Sequence, residues 1–213
     1  MAIISFRSDE ILCKIVYYGP GRGGKTTNVV TIHRALGDQV RGELLSIETA
    51  GDRTLFFDFL PMDLGKIGRF RIKISLYTVP GQVRYNDTRK LVLKGVDGIV
   101  FVADSLEIRR TMNLESFLNL DENLKEHGKA INSVPLVLQY NKRDLESSKA
   151  SLVPVEELER ELNPDGHYHS FSASALRGDG VRETLKKICM ITVKDVGTRL
   201  LRDKGGSLSG SEK

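Results

Sequence analysis

The chain has 213 residues, of which 40% are apolar and 28% are charged, and its net charge is +4. This length and composition fit one globular domain and exclude a disordered or fibrous chain. Two cysteines, Cys13 and Cys189, lack partners at metal-ligand spacing, so we expect buried, reduced thiols. The mild charge is not gathered into a basic stripe, which argues against nucleic acid as a partner.

The apolar stretches are too short to cross a bilayer, since the longest lie at 99–103 and 134–138. The first residues lack the basic flank of a signal peptide and the glycine that myristoylation requires, and the last residues include no cysteine to prenylate. We therefore expect a cytoplasmic protein without a membrane anchor.

Strand and helix signals alternate along the chain. Apolar runs predict strands at 11–18, 55–60, 96–103 and 134–140, and alternation of apolar and polar residues predicts one at 70–76. A last strand is predicted at 168–172, and residues 3–6 could add an edge strand. Spacings of three and four predict helices around 29–36, 114–128 and 181–200, whereas 37–52 has no period and predicts a loop. This alternation predicts an α/β fold with a mainly parallel sheet.

The strand signals also define the expected boundaries of the domain. Pro61 predicts the end of the second strand. Residues 10–202 are predicted to form one domain, preceded by an extension at 1–9. A Gly-, Ser- and charge-rich tail at 203–213 is predicted to be disordered.

A glycine-rich sequence at 19–26, the phosphate loop, matches G-x-x-x-x-G-K-[ST] between a predicted strand and helix. Backbone N–H groups in such a loop, together with the helix N-terminus, bind phosphate oxygens. We expect Lys25 to reach the β- and γ-phosphates, Thr26 to ligate magnesium and Thr27 to contact the α-phosphate. The glycines expected at the phosphates are Gly19, Gly21, Gly23 and Gly24.

The same residues also satisfy Gly-x-Gly-x-x-Gly, the fingerprint of dinucleotide-binding folds. That fold requires an acidic residue closing the second strand about twenty residues later. Glu43 is near that distance but follows no apolar run, and Lys25 and Thr26 have no role in this alternative. We therefore favour the P-loop interpretation.

The sequence Asn141-Lys142-Arg143-Asp144, the base loop, directly follows the predicted strand at 134–140. A carboxylate at Asp144 can accept from both N1–H and the exocyclic amine of guanine, whereas adenine offers an acceptor at N1. This chemistry favours guanine and argues against a P-loop ATPase or kinase. We expect Asn141 to read the other edge of the base and the stem of Lys142 to cover its face.

A second small loop, Ser174-Ala175-Leu176, follows the last predicted strand and is called the Ser174 loop below. We expect a backbone N–H in this loop, that of Ala175, to donate to guanine O6. Together the three motifs predict a guanine-nucleotide site.

Across residues 10–202 the chain resembles the Ras superfamily of small GTPases, and more narrowly its bacterial MglA branch. Beyond the motifs above, the resemblance is carried by 14–21, 52–61, 77–83, 89–91 and 94–98. It implies a single P-loop NTPase domain of the Ras-like type, with helices flanking the sheet. It also implies GTP hydrolysis to GDP with Mg²⁺ as cofactor.

The resemblance assigns roles to residues in the two switch segments, at 37–54 and 80–90. Thr54 would ligate magnesium and sense the γ-phosphate, and Arg53 would act as an intrinsic arginine finger. Gln82 would orient the attacking water, and the Gly81 N–H would bind the γ-phosphate. Two alternatives stay open: Arg53 could be an exposed loop residue, and Asp58 could only pair with a neighbouring base.

The chain departs from the family at two positions. Thr78 stands where most Ras-like proteins have an aspartate that supports magnesium through water, which predicts slower hydrolysis and weaker metal binding. Arg22 replaces an apolar residue, and it could tighten phosphate binding, meet a partner's acid or lie in solvent. His167 and His169 lack a third ligand nearby and are predicted to be surface residues.

The resemblance also implies partners. A roadblock-fold activating protein of the MglB type would dock on the switches, and polarity or motility effectors would read the GTP form. The free protein is expected to be a monomer that is recruited to a cell pole when GTP is bound. The rival hypothesis is a nucleotide-binding scaffold with little or no hydrolysis.

Overall fold

Buried runs rich in β-branched and aromatic residues form the central strands of one sheet in the computed structural model, which describes residues 2–5, 8–37, 40–48, 56–82 and 85–206. The strands within these ranges are β1 Ile3–Ser5, β2 Glu10–Tyr18, β3 Leu45–Glu48, β4 Phe56–Ile67, β5 Phe70–Thr78, β6 Gly98–Asp104, β7 Leu136–Asn141 and β8 His169–Ser172. Their order is β3-β4-β5-β2-β6-β7-β8, and β1 pairs with β2.

The core of the sheet is parallel. Strands β5, β2, β6, β7 and β8 run in the same direction, whereas β1, β3 and β4 pair antiparallel with their neighbours. Every residue of β6 and β7 is buried, as a parallel strand covered on both faces requires. The loops that follow these five parallel strands therefore meet at one edge, where α/β proteins bind ligands.

Helices cover both faces of the sheet. They are α1 Lys25–Ala35, α2 Asn86–Leu93, α3 Arg110–Glu126, α4 Val155–Leu162 and α5 Val181–Gly206. Because side chains alternate along a strand, the sheet has two cores. One, which includes Ile15 and Ile74, lies under α1 and α5, and the other, which includes Val16 and Phe101, lies under α2, α3 and α4. No helix in the described ranges combines the length and apolarity needed to span a bilayer.

The predicted α/β fold with a mainly parallel sheet is confirmed, and so are buried, unpaired thiols at both cysteines. Burial raises the pKa of each thiol to about 12. The edge strand near residues 3–6 is present as β1. Helices α2 and α4 were not predicted, because each is only eight residues long.

Three boundaries differ from the predictions. The segment at 37–52 contains β3, whose four residues are too few for a clear period. Strand β4 does not stop at Pro61: although proline lacks an N–H, the Pro61 carbonyl accepts from the Gly42 N–H at 2.8 Å. Helix α5 continues to Gly206, four residues into the predicted tail. Residues 207–213 lie outside the described residues.

Candidate nucleotide-binding site

The phosphate loop connects the end of β2 to the start of α1 at the edge where the parallel strands end. Gly19 has φ +139°, and a Cβ there would lie 2.2 Å from the Val102 carbonyl oxygen. Gly24 has φ +101°, and its Cβ would lie 2.1 Å from Asn141 Nδ2. Side chains are therefore excluded at both positions, and the backbone packs directly against β6 and the base loop.

Lys25 is buried at the centre of this loop, and its ammonium donates to the carbonyls of Gly19 at 3.0 Å and Pro20 at 2.7 Å. Burial is the main cause that lowers the pKa of Lys25; the positive charges of Arg89 and Arg109 also lower it and Asp58 raises it, and the net pKa is about 7. Within the described part of the chain Lys25 has only carbonyl partners. A bound anion would supply the counter-charge that this ammonium lacks.

A cavity of about 440 Å³ opens beside Lys25 and Thr26. Its far wall carries Asp58, which is only 8% exposed. The Asp58 carboxylate accepts from the hydroxyls of Ser46 and Thr78, each at 2.8 Å, and the Asp58 N–H donates to Thr78 Oγ1 at 2.9 Å. These contacts do not support the alternative in which Asp58 only pairs with a neighbouring base.

The oxygen atoms around this cavity fit a hard divalent cation. No cluster of three or more His, Cys, Asp or Glu residues that could hold a metal occurs in the described ranges. A magnesium ion shared with nucleotide phosphates needs no such cluster, because it keeps water and phosphate oxygens among its ligands. His167 and His169 are both exposed, in agreement with the prediction of surface histidines.

The second switch packs against the phosphate loop. A Cβ at Gly81 would lie 2.2 Å from Gly21 Cα and 2.9 Å from Lys25 Nζ, so the two backbones are in direct contact. Gln82 follows and is exposed. The second switch therefore begins in contact with the phosphate loop and Lys25.

Asn141 joins three loops. Its side chain is 2% exposed; its Nδ2 donates to the Gly23 carbonyl and its Oδ1 accepts from the Ala175 N–H, both at 2.8 Å. The Ala175 N–H that we predicted for guanine O6 is therefore engaged by Asn141. The Asn141 amide has one further N–H, which leaves it able to contact a base.

The rest of the base loop is placed by its backbone. Lys142 adopts φ +73°, and Asp144 lies half-buried in the 3₁₀ turn Arg143–Ser147 that follows. Ser174 is buried and Leu176 is 78% exposed, so the Ser174 loop presents one side chain to solvent.

Asp104 was missed by the sequence reasoning. It ends β6 with no exposed surface, and its Oδ2 lies 2.6 Å from Lys142 Nζ. The only sequence signal was a single acid at the end of an apolar run.

The structure describes three of the remaining predicted residues, Arg22, Thr26 and Thr27, but not Arg53 and Thr54. Arg53 and Thr54 lie outside the described residues, so their roles stay predictions. Thr27 is half-buried on the first turn of α1, whereas Thr26 beside it is exposed to the cavity. Arg22 is exposed, has φ +62° and lines the cavity, which is compatible with each of the three roles considered for it.

Comparisons with known proteins give one consistent result. Residues 60–192, more than half of the chain, match the ADP-ribosylation factor family. The chain is 49% identical to the mutual gliding-motility protein MglA of Myxococcus xanthus over 92% of this chain and 98% of that protein. It is 30% identical to human ADP-ribosylation factor-like protein 4A over 58% of this chain and 60% of that protein.

The human relative matches only part of the chain, whereas the bacterial one matches nearly all of it, including the phosphate loop and both switches. The chain belongs to the MglA-type small GTPases, Ras-like proteins of the ADP-ribosylation factor family.

Proposed function

We propose that the protein is a GTP-binding switch that hydrolyses GTP to GDP and regulates cell polarity and motility through partners that distinguish the two states. The observation that carries this proposal is the Asn141 amide, which holds the phosphate loop and the Ser174 loop against the base loop. A nucleotide needs sites for its phosphates and its base at a fixed separation. This amide sets that separation.

Phosphate binding would rest on Lys25 and on the loop glycines Gly19, Gly21, Gly23 and Gly24. The buried ammonium of Lys25 favours an anion, and the α1 N-terminus adds its positive end. Asp144 would select guanine by accepting from N1–H and the exocyclic amine, with Asn141, Lys142 and the Ser174 loop around the base.

Hydrolysis would proceed by attack of water on the γ-phosphorus. The bond to the bridging oxygen breaks, and GDP and inorganic phosphate leave. Gln82 would orient the water, Arg53 would stabilise the developing charge, and the Gly81 N–H and Lys25 would bind the γ-phosphate. In related GTPases an arginine in this role is worth about 10³ to 10⁵ in rate.

Small GTPases of this kind use Mg²⁺, and the oxygen-lined cavity supports the same assignment here. Thr26 and Thr54 would hold the ion. Asp58, hydrogen-bonded to Thr78, brings a carboxylate to the wall where Thr78 replaces the usual aspartate. When bound, the ion would supply positive charge that offsets the negative charge of the phosphates.

The contact between Gly81 and Gly21 supports a nucleotide-dependent switch. Because a third phosphate would separate them, GTP and GDP should favour different positions of the second switch. An MglB-type roadblock-fold activating protein would dock there and raise a slow intrinsic rate. Polarity or motility effectors would bind the GTP form and recruit it to a cell pole, as the relative named for gliding motility suggests.

Nucleotide competition tests the base assignment. Unlabelled GTP and GDP should displace fluorescent GDP from the purified protein with Mg²⁺, and ATP should not. Asp144→Ala should lose this preference, by as much as about 10⁴-fold, because the discriminating acceptor is gone. Asp165→Ala, at an exposed loop acid, is the matched control and should behave like the unaltered chain. Equal competition by ATP would refute guanine specificity.

Single-turnover hydrolysis separates the switch from the scaffold. The rate should be slow for the protein alone and rise when a roadblock-fold activator is added, and Gln82→Ala and Arg53→Ala should abolish the rise. Tight GTP binding without hydrolysis under both conditions would instead establish the scaffold.

A further inference from the structure

Asp104 is a fully buried carboxylate at the end of β6, held in place by its own backbone. Its N–H donates to Asn113 Oδ1 and its carbonyl accepts from Asn113 Nδ2, both at 2.9 Å. Its Oδ1 accepts from the Leu106 N–H at 3.2 Å. These contacts fix the carboxylate relative to the sheet without involving the base loop or the phosphate loop.

The second carboxylate oxygen of Asp104 faces two cations. Lys142 Nζ of the base loop lies 2.6 Å from Oδ2, and Arg109 Nε lies 3.7 Å from the same atom. Arg109 in turn donates from Nη2 to the carbonyl of Gly21 in the phosphate loop. A continuous chain of polar contacts thus runs from the base loop through Asp104 to the phosphate loop.

This chain of contacts fixes backbone that would face the nucleotide. Because the C=O and N–H of one peptide point in opposite directions, binding of the Gly21 carbonyl by Arg109 sets the direction of the Arg22 N–H. At the other end, the ion pair with Asp104 determines where the Lys142 stem lies. Both cations share one oxygen, so a displacement at one loop changes the field at the other.

Burial makes this arrangement sensitive to the charge of Asp104. A carboxylate removed from water is stable only while its ionic and hydrogen-bonding partners remain in place. Removing its charge would leave Lys142 and Arg109, each largely buried, without their common partner.

We propose that Asp104 is a positioning residue that couples the base loop to the phosphate loop and slows the release of guanine nucleotide. This inference rests on the proposed function, because it concerns the same nucleotide site. Asp104 itself would touch neither the base nor the phosphates.

The release rate of fluorescent GDP, measured after adding excess unlabelled GDP with Mg²⁺, tests the proposal. Asp104→Asn should release GDP about tenfold to hundredfold faster, as expected when one member of a buried charge pair is altered. Its preference for GTP over ATP should be unchanged because Asp144 is intact. A variant whose fold was merely damaged would not change the GDP release rate while keeping its preference for GTP over ATP.

Asp97→Asn is the matched control. Asp97 immediately precedes β6, is 1% exposed and pairs with Arg199, but it lies at the opposite end of the strand. Its GDP release should stay within about twofold of the unaltered chain, because distant sites are energetically independent.

A double-mutant cycle keeps the test decisive even if Asp104→Asn fails to fold. Lys142→Gln and Arg109→Gln should each accelerate GDP release. If both act through Asp104, the acceleration in the double variant should be smaller than the product of the two single accelerations, by at least about threefold. Multiplicative effects, or unchanged release in folded Asp104→Asn, would overturn the proposal while leaving the proposed function intact. An unaltered chain that fails to bind GDP would overturn both.

Discussion

The two ends of β6 place the same chemistry in different surroundings. Asp97 and Asp104 are both buried carboxylates paired with cations. Asp97 accepts from the Lys14 N–H at 3.0 Å and pairs with Arg199, so it joins β2 to α5. Asp104 joins loops instead of regular elements. The comparison indicates that buried charge at the amino end of the parallel sheet maintains the fold, whereas at the carboxyl end it organises the site.

The largest expected effect tests the amino end. Asp97→Asn should lower the free energy of unfolding by about 2 to 3 kcal/mol, because Arg199 loses its buried partner while the Lys14 N–H keeps an acceptor. Urea unfolding without nucleotide measures this loss. Glu183→Gln, on an exposed position of α5, is the control for removal of an acid. If Asp97→Asn lowered the free energy of unfolding no more than Glu183→Gln does, the amino end of the sheet would have no special role in maintaining the fold.

The second prediction concerns Lys25, a cation at the carboxyl end of the parallel sheet. Lys25 forms no ion pair with any described residue. Its pKa of about 7 should rise when phosphate binds, because the anion favours the charged form. Binding then takes up a proton above pH 7. Affinity for GDP is greatest below pH 7 and falls by as much as about tenfold per pH unit from there up to the pKa of the complex.

Titration calorimetry at pH 8 in two buffers with different ionisation enthalpies measures this proton uptake. Lys25→Arg keeps the charge but does not titrate in this range, so its binding should be independent of the buffer. Equal proton uptake by both proteins would place the titrating group elsewhere.

The smallest expected effect concerns the strain of Arg22 in the phosphate loop. Its φ of +62° is unfavourable for a residue with a Cβ. Arg22→Gly should therefore raise the free energy of unfolding by about 0.5 to 1 kcal/mol, after the greater freedom of glycine in the unfolded chain is subtracted. Urea unfolding without nucleotide provides the measurement. Arg22→Ala keeps the Cβ and should give no gain; an equal gain would point to charge repulsion instead of backbone strain.

The sequence predicted the loops of the site better than the contacts between them. The phosphate loop and the base loop each follow an apolar run long enough to be recognised as a strand, and parallel strands place their carboxyl ends together. The sequence is therefore enough to assign the phosphate loop after β2 and the base loop after β7 to one edge of the sheet.

The contacts depended on information that local patterns lack. Asp104 has no motif partner. The pairing of β6 with β7 brings Lys142 to it, and the 3₁₀ turn Glu107–Arg109 after β6 brings Arg109. The Ala175 N–H was assigned to a base, although the nearer acceptor is the Asn141 side chain. Pro61 was interpreted as a strand end because its missing donor is visible in the sequence and its carbonyl partner is not.

The contact between Gly21 and Gly81 constrains how these two positions can vary among related sequences. A methyl group at Gly21 would meet Gly81 atoms only at 3.5 Å or more, whereas one at Gly81 would overlap the Gly21 backbone. In this arrangement a side chain is therefore tolerated at position 21 but not at position 81. Variation should enter first at position 21, and an alanine at position 81 should survive only where other changes have moved the second switch away.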